Sequence, residues 1–409
     1  MRTICLNFTI HQPFRFRKVH FFDIGNDPYF YDDYTNELNI RKIATHSYLP
    51  TNDLLLKLIQ KHNGKFKVSF SISGIVIDQF LLYAPEVIES FQRLANTGCV
   101  EFLAETYSHS LVSLSHKDNF KNQVKAHANI IEELFGHQPK SFKNTDLIYS
   151  NEIGATIAEM GFKSIITEGE MDFLQWKSPN YAYCNAINPR LKVLLRNPQL
   201  SDDIMLRFSN RSWNQWPLTA DKYVHWLNQI NHNEEVITLL MNYETFGTYH
   251  KKDSGIFKFL ESFSEKIFTD SDYKFMTPTE IAEHIQPISA IDVSYPQLLT
   301  SDKDLSSLLK NELQQEAFDK LYALDKKIEL CSDSRLLQDW LYLQASDHFY
   351  YMGNKFFSGK KDLTIKKPYE SPYEAFINYM NILNDFTIRL NRFILTQTEM
   401  KKSKKTILI

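Results

Sequence analysis

The side chains best suited to chemistry fall at the ends of short β-rich runs. His11-Gln12-Pro13 follows the run Thr3–Ile10, and Glu101 and Glu105 lie in and just after Cys99–Leu103, with Tyr107 and His109 close behind. Asn144-Thr145-Asp146 closes the run Ser141–Asn144, and Asn242-Tyr243-Glu244-Thr245-Phe246-Gly247 follows Val236–Met241. Carboxyl and imidazole groups exchange protons, while amides and phenols bind hydroxyls, so a cluster of these types suits acid–base work on a polar substrate. Each residue also has an ordinary use. A His after a strand commonly satisfies its own surroundings, and an Asp ahead of a helix serves that helix's first turn. Glu101 and Glu105 become plain surface charges if the strand boundary shifts. The recurrence at four strand ends is what points to function.

The elements that must position these residues alternate along the first 285 residues or so. Phe66–Ser73, Ser164–Thr167 and Lys192–Arg196 complete the strand-like runs, and capped amphipathic segments lie between several of them. Thr51 or Asn52 is placed to cap a helix carrying Leu54, Leu55, Leu58 and Ile59 that stops at Gly64, and Ser150 to cap one ending at Gly161. Alternation at this spacing implies a parallel sheet with crossover helices, either an incomplete barrel or a doubly wound sheet. No Gly-rich phosphate loop follows any strand, which removes support from a nucleotide-binding sheet. In a parallel barrel, functional residues gather at the C-terminal strand ends. The pattern changes around Pro287 and Pro296. From Asp302 it is helical: Leu305, Leu309, Leu313, Ala317, Leu321 and Leu324 form one stripe, and further helical segments run over Leu336–Met352 and from Ser371 to about Leu395. The division expected is 1–286 and 300–398.

The whole-chain composition narrows the partners. A net charge of −3 gives no electrostatic case for nucleic acid, and the basic Lys401–Lys405 tail reads as a solvated end. Cys5, Cys99, Cys184 and Cys331 are scattered without a CxxC, as expected of thiols in a reducing compartment rather than disulfides or a zinc site. Arg2 is followed at once by a strand pattern instead of an apolar leader, and no apolar stretch approaches the roughly 20 residues that span a bilayer. The expectation is a cytoplasmic protein with no membrane partner. Aromatics make up 14% of the chain; most are core, but a surplus of Tyr and Trp suits sugar rings, whose C–H faces pack on aromatic faces.

Taken in order, the motifs resemble those of glycoside hydrolase family 57, in its α-amylase-like branch. The segments are His11–Pro13, Gly98–Leu111, Phe142–Tyr149, Met241–Gly247, Ser346–Met352 in the helical region, and Pro368–Asn381. The likeness runs from residue 3 to about 395. It implies an incomplete (β/α)7 barrel followed by a C-terminal helical domain contributing to the cleft, and a retaining reaction on α-glucosidic bonds with no metal or organic cofactor. Such chemistry uses two carboxyl groups about 5–5.5 Å apart, a nucleophile and a proton donor that later acts as base.

Both positions depart from the family pattern. Asp146 stands where the resemblance places a nucleophilic Glu, and Asn242 where it places the acid/base Asp. The shorter Asp retracts its carboxylate by one methylene, and a misplacement of about 1 Å already costs on the order of 10²-fold. The amide is harsher, because it neither donates a carboxylic proton nor takes one back, and losing that assistance costs about 10²–10⁴-fold. Asn242 and Glu244 alternate on an extended strand, so Glu244 is a possible surrogate acid. The resemblance leads to an α-glucan or maltooligosaccharide binder with impaired or absent catalysis, in which His11, Glu105, His109, Glu244 and Asp347 contact sugar hydroxyls. Trp213 and Trp216 are candidates for stacking, or equally loop tryptophans packed on the barrel. The alternatives are an active α-amylase or 4-α-glucanotransferase using Asp146 with Glu244, and a non-enzymatic structural or regulatory protein. A metal-dependent deacetylase is disfavoured, since His109 and His116 stand seven apart with no ligand motif nearby.

Overall fold

The computed structural model describes residues 2–169, 174, 177–296, 306–354 and 368–407. Its strands are β1 Thr3–Ile10, β2 Val68–Ile72, β3 Val100–Phe102, β4 Ser141–Lys143, β5 Ser164–Glu168, β6 Ala182–Asn185, β7 Lys192–Arg196, β8 Val236–Asn242, β9 Lys274–Phe275 and β10 Ala290–Ile291. Parallel pairing runs β7-β8-β1-β2-β3 on one side and β4-β5-β7 on the other. A bridge between Ala104 and Phe142, with Lys143 N–H donating to the Ala104 carbonyl at 2.9 Å, joins the β3 and β4 sides. The ring is therefore a nearly closed seven-stranded parallel barrel, as the resemblance implies. All seven expected strands are in it. β6, antiparallel on β7, and the short β9 and β10 are additions without a clear sequence pattern.

Alternation along each strand separates two environments. Ile4, Leu6, Phe8 and Ile10 of β1, Phe70 of β2 and Leu239 of β8 pack with Leu55, Phe91, Tyr223 and Phe263 of the surrounding helices. The opposite set faces the lumen: Cys5, Leu103, Ile166, Leu194 and Leu240 form a separate apolar cluster there. Register carries that set around the ring through the pairs Thr9–Asn242, Thr9–Ser71 and Glu168–Arg196. Moving toward the C-terminal strand ends, the lumen thus changes from apolar to polar.

The helices follow local signals, with one correction. Ser150 Oγ accepts from Ile153 N–H and caps helix Asn151–Glu159, whose exit passes through left-handed Gly161 (φ 95°). Thr51 and Asn52 are not caps. Helix Leu49–Lys61 is already running there, continuous with a π-turn over Ala44–Tyr48, and Asn52 is buried with its amide on Ser90 and its carbonyl receiving Tyr243. Polar side chains in search of partners mimic a cap in sequence.

By contact density the chain divides into two compact units, 1–12 with 37–107 and 121–303, and 13–36 with 108–120 and 304–409. The first holds the barrel. The second is built on helices Glu312–Tyr322, Ser334–Leu343, Ser346–Tyr351 and Pro372–Ile407, with the Asn378 side chain bonded to Val19 N–H and Arg17 O, and Arg389 bridging Asp339 and Asp385. Leu305 and the side chains of Lys401–Lys405 lie outside the described residues. No helix among the described residues is long and apolar enough to cross a membrane.

Candidate functional site at the C-terminal end of the barrel

The turn after β4 is held from three sides. Asn144 Nδ2 donates to Ile148 O at 2.9 Å, Thr145 Oγ1 shares a 2.9 Å hydrogen bond with Thr106, and Thr167 Oγ1 on β5 donates to Leu147 O at 2.8 Å. Within it Asp146 (φ 48°, ψ 25°) and Leu147 (φ 62°) both adopt left-handed backbone. Asp tolerates that region better than most residues, whereas a bulky Leu is strained in it, so the hydrogen bonds must over-determine the turn. Asp146 is half-buried.

Asn242 is the last residue of β8, on the lumen-facing register opposite Thr9, and its Nδ2 donates to Tyr249 Oη at 3.2 Å. The chain then turns into a 3₁₀ segment over Tyr243–Thr245, so the strand alternation that would bring Glu244 onto the face of Asn242 ends one residue too early. Glu244 is instead buried, receiving Tyr48 Oη and, at 3.3 Å, Gln12 Nε2 on the same oxygen. Burial pushes its carboxyl above the usual range against those hydrogen bonds and the nearby His11. His11 Nδ1 sits 2.7 Å from Ser73 Oγ. The motif ends on Gly247 because its φ is 97° and a Cβ there would lie 1.8 Å from the His46 carbonyl oxygen.

Between these two strand ends the lumen carries two buried ion pairs. Glu105 accepts from Ser71 Oγ at 2.9 Å and from Lys143 Nζ at 3.2 Å, both partners of the pair being almost fully buried. Its backbone N–H donates to His127 Nδ1, so Nε2 carries the proton given to Ile72 O, and burial lowers the imidazole's affinity for a second proton. Across the ring Arg196 Nη1 lies 3.2 Å from Glu168, while its Nη2 bonds Asp202 and its Nε donates to Leu240 O at 2.9 Å. Burial pushes Glu168 up to about 7, against the pull of Arg196 and the Gly169 N–H. Sequence reasoning missed Glu168, Arg196 and Lys143. Charges at the last position of a parallel strand were the signal available. Tyr48 and Tyr249 gave none.

The remaining expected residues are placed as follows. In the second unit His109 (φ 51°) is buried, and its carbonyl accepts from Ser346 N–H at 3.0 Å, next to half-buried Asp347, with Ser110 bridged to Ala345. The structure thus brings the end of the Gly98–Leu111 motif and the helical motif together within that unit. Trp213 packs against the outer core on the helix-bearing side, edge-on to Trp226 at 6.2 Å, and is not among the lumen-facing side chains. Trp216 is exposed, with the Arg211 guanidinium 5.7 Å from its ring.

Comparison with known proteins agrees with this architecture. Residues 5–294 match the model of glycosyl hydrolase family 57. A protein of Methanocaldococcus jannaschii provisionally named an alpha-amylase is 36% identical over 98% of this chain and 87% of its own length. The chain belongs to glycosyl hydrolase family 57. Among solved structures, the branching enzyme of Pyrococcus horikoshii superposes with a TM-score of 0.68 at 12% identity, covering 94% of this chain and 88% of that one. The 4-alpha-glucanotransferase of Thermococcus litoralis does so at 0.65 and 14% identity, over 85% of this chain and 56% of the longer enzyme. At such identities these likenesses speak for the fold.

Proposed function

We propose that this chain binds an α-glucan of the maltooligosaccharide class at the C-terminal end of its barrel, with catalysis impaired or absent. The observation that carries the reading is Asn242. The strand end that the family resemblance assigns to the proton donor holds an amide, hydrogen-bonded to Tyr249, and an amide supplies no carboxylic proton to a leaving oxygen. Asp146 keeps a carboxylate, one methylene short. In this reading His11, Glu105 and Glu244 contact sugar hydroxyls, as do His109 and Asp347. The names of the Methanocaldococcus relative and of the glucanotransferase support the substrate class. Cytoplasmic residence fits the four free cysteines.

A second reading has one observation in its favour. A carboxyl raised by burial, as Glu244 is, holds a proton closer to neutral pH, so it suits a surrogate acid paired with Asp146 as nucleophile. Its partners Tyr48 and Gln12 weigh against that role, because both donate to the carboxylate and so favour its unprotonated form. Incubation of the purified protein with maltoheptaose separates the two. The first reading expects binding by calorimetry with no hydrolysis or transfer above background. Turnover at an ordinary rate, abolished by Glu244→Gln, establishes the second. Absence of binding leaves a structural or regulatory role.

A further inference from the structure

On the flank of the barrel, helix Pro198–Met205, helix Ala220–Gln229 and the segment joining them enclose a pocket of about 530 Å³. That size is within the roughly 300–1,000 Å³ of small-ligand sites. We propose that this pocket is a second α-glucan-binding site, independent of the barrel's C-terminal end. The proposal takes its ligand class from the function proposed above.

The lining is chemically suited to a neutral sugar. Trp213 and Trp226 stand edge to face, 6.2 Å apart at 75°, and both are partly exposed. Both line the pocket, so the part of each indole left exposed is available to the C–H face of a pyranose. Around them Gln199 and Asn214 present exposed amides, which offer a donor and an acceptor side by side, the complement of two adjacent hydroxyls. The exposed Gln229 amide, its nitrogen 3.0 Å from His225 Nε2, adds a carbonyl acceptor. The charges in the wall are matched: Asp203 and Arg207 are one helical turn apart and paired to each other. Nearby, the Lys222 amine donates to the carbonyls of Gln215 and Pro217. An ionic ligand would meet no uncompensated partner there, whereas a polyhydroxylated one needs none.

The walls are also preformed. Tyr223 Oη donates to Leu200 O at 3.0 Å and ties the two helices together, Asp203 is buried, and both tryptophans rest on the outer core. Little ordering is left to oppose binding. None of the lining residues lies on a barrel strand, so this site and the strand ends can be altered separately.

The test is a calorimetric titration of the full chain with maltoheptaose, read alongside the near-UV difference spectrum of tryptophan. Two classes of site are expected. Gln199→Ala/Asn214→Ala/Gln229→Ala, all at exposed positions, should weaken one class at least tenfold and remove the indole signal, with the thermal midpoint unchanged. His11→Ala should weaken only the other class. If the triple variant leaves affinity and indole signal intact while His11→Ala weakens binding, the flank site is wrong and the strand-end reading stands. If the triple variant abolishes all binding and His11→Ala changes nothing, the flank site stands and the strand-end reading fails. Absence of any binding overturns the flank site too. Should the triple variant prove unstable, Gln229→Ala alone gives the same readout.

Discussion

The ends of β4 and β8 make an instructive pair. Around β4 the chain is pinned by Asn144, by Thr106 of the β3 side and by Thr167 of β5, and it holds a carboxylate, Asp146, on a left-handed backbone. Around β8 the support is as extensive, with Arg196 on the Leu240 carbonyl and Glu244 buried under Tyr48 and Gln12, yet the group presented is the Asn242 amide. Both ends keep their positioning machinery. In the proposed reading the first end has lost reach and the second a proton, so only the second would be a chemical lesion.

That comparison can be broken by attacking the supports, and the largest effect belongs on the β4 side. Lys143→Met strands the buried Glu105 charge and should cost about 3–5 kcal/mol, with most of it recovered by adding Glu105→Gln. Denaturant unfolding of the two variants checks this. A loss under about 1 kcal/mol for Lys143→Met would show that the pair does not hold the β3–β4 side. On the β8 side Glu168 gives a pH signature. Its carboxyl is raised from 4.5 to about 7, so the stability contributed by the protonated form is complete below about 4.5 and is lost as pH rises through about 7. Between those limits Glu168→Gln should gain on the natural protein by on the order of 3 kcal/mol, read as a flatter stability profile. The smallest effect is Thr167→Val, which removes one hydrogen bond to the Asp146 turn and should lower stability by about 1 kcal/mol in the same unfolding assay.

How much of this was legible depends on the range of the signal. The seven barrel strands are runs of apolar and β-branched residues, and their sequence bounds fall within a residue or two of the structural ones. Whether they close into a ring was not legible, because closure rests on single contacts such as Ala104 with Phe142 and Arg196 with Thr238, which carry no pattern of their own. Asp146 and Asn242 stand out in the sequence because they lie at strand ends inside ordered motifs. Glu168 and Arg196 lie at strand ends too, but outside those motifs, and only their mutual burial sets them apart. Thr51 and Asn52 misled for the converse reason, since their polar groups bond inside the packed structure and not to a helix end. Trp213 was visible as a candidate stacking residue, but its neighbour Trp226, inside an amphipathic helix, reads as core until the fold brings the two rings together.

The contrast between a geometric and a chemical lesion is tested most directly by kcat/KM on maltoheptaose for Asn242→Asp, Asp146→Glu and the double variant against the natural protein. The account predicts little or no turnover for the natural chain and a gain of about 10²–10⁴-fold for Asn242→Asp. Asp146→Glu alone should gain less, since the amide remains and the backbone at φ 48° suits Asp better than Glu. The double variant should exceed both, because two groups acting as a unit are non-additive. A natural protein already turning over maltoheptaose at an ordinary rate, or a double variant that binds it and stays inert, would contradict the account.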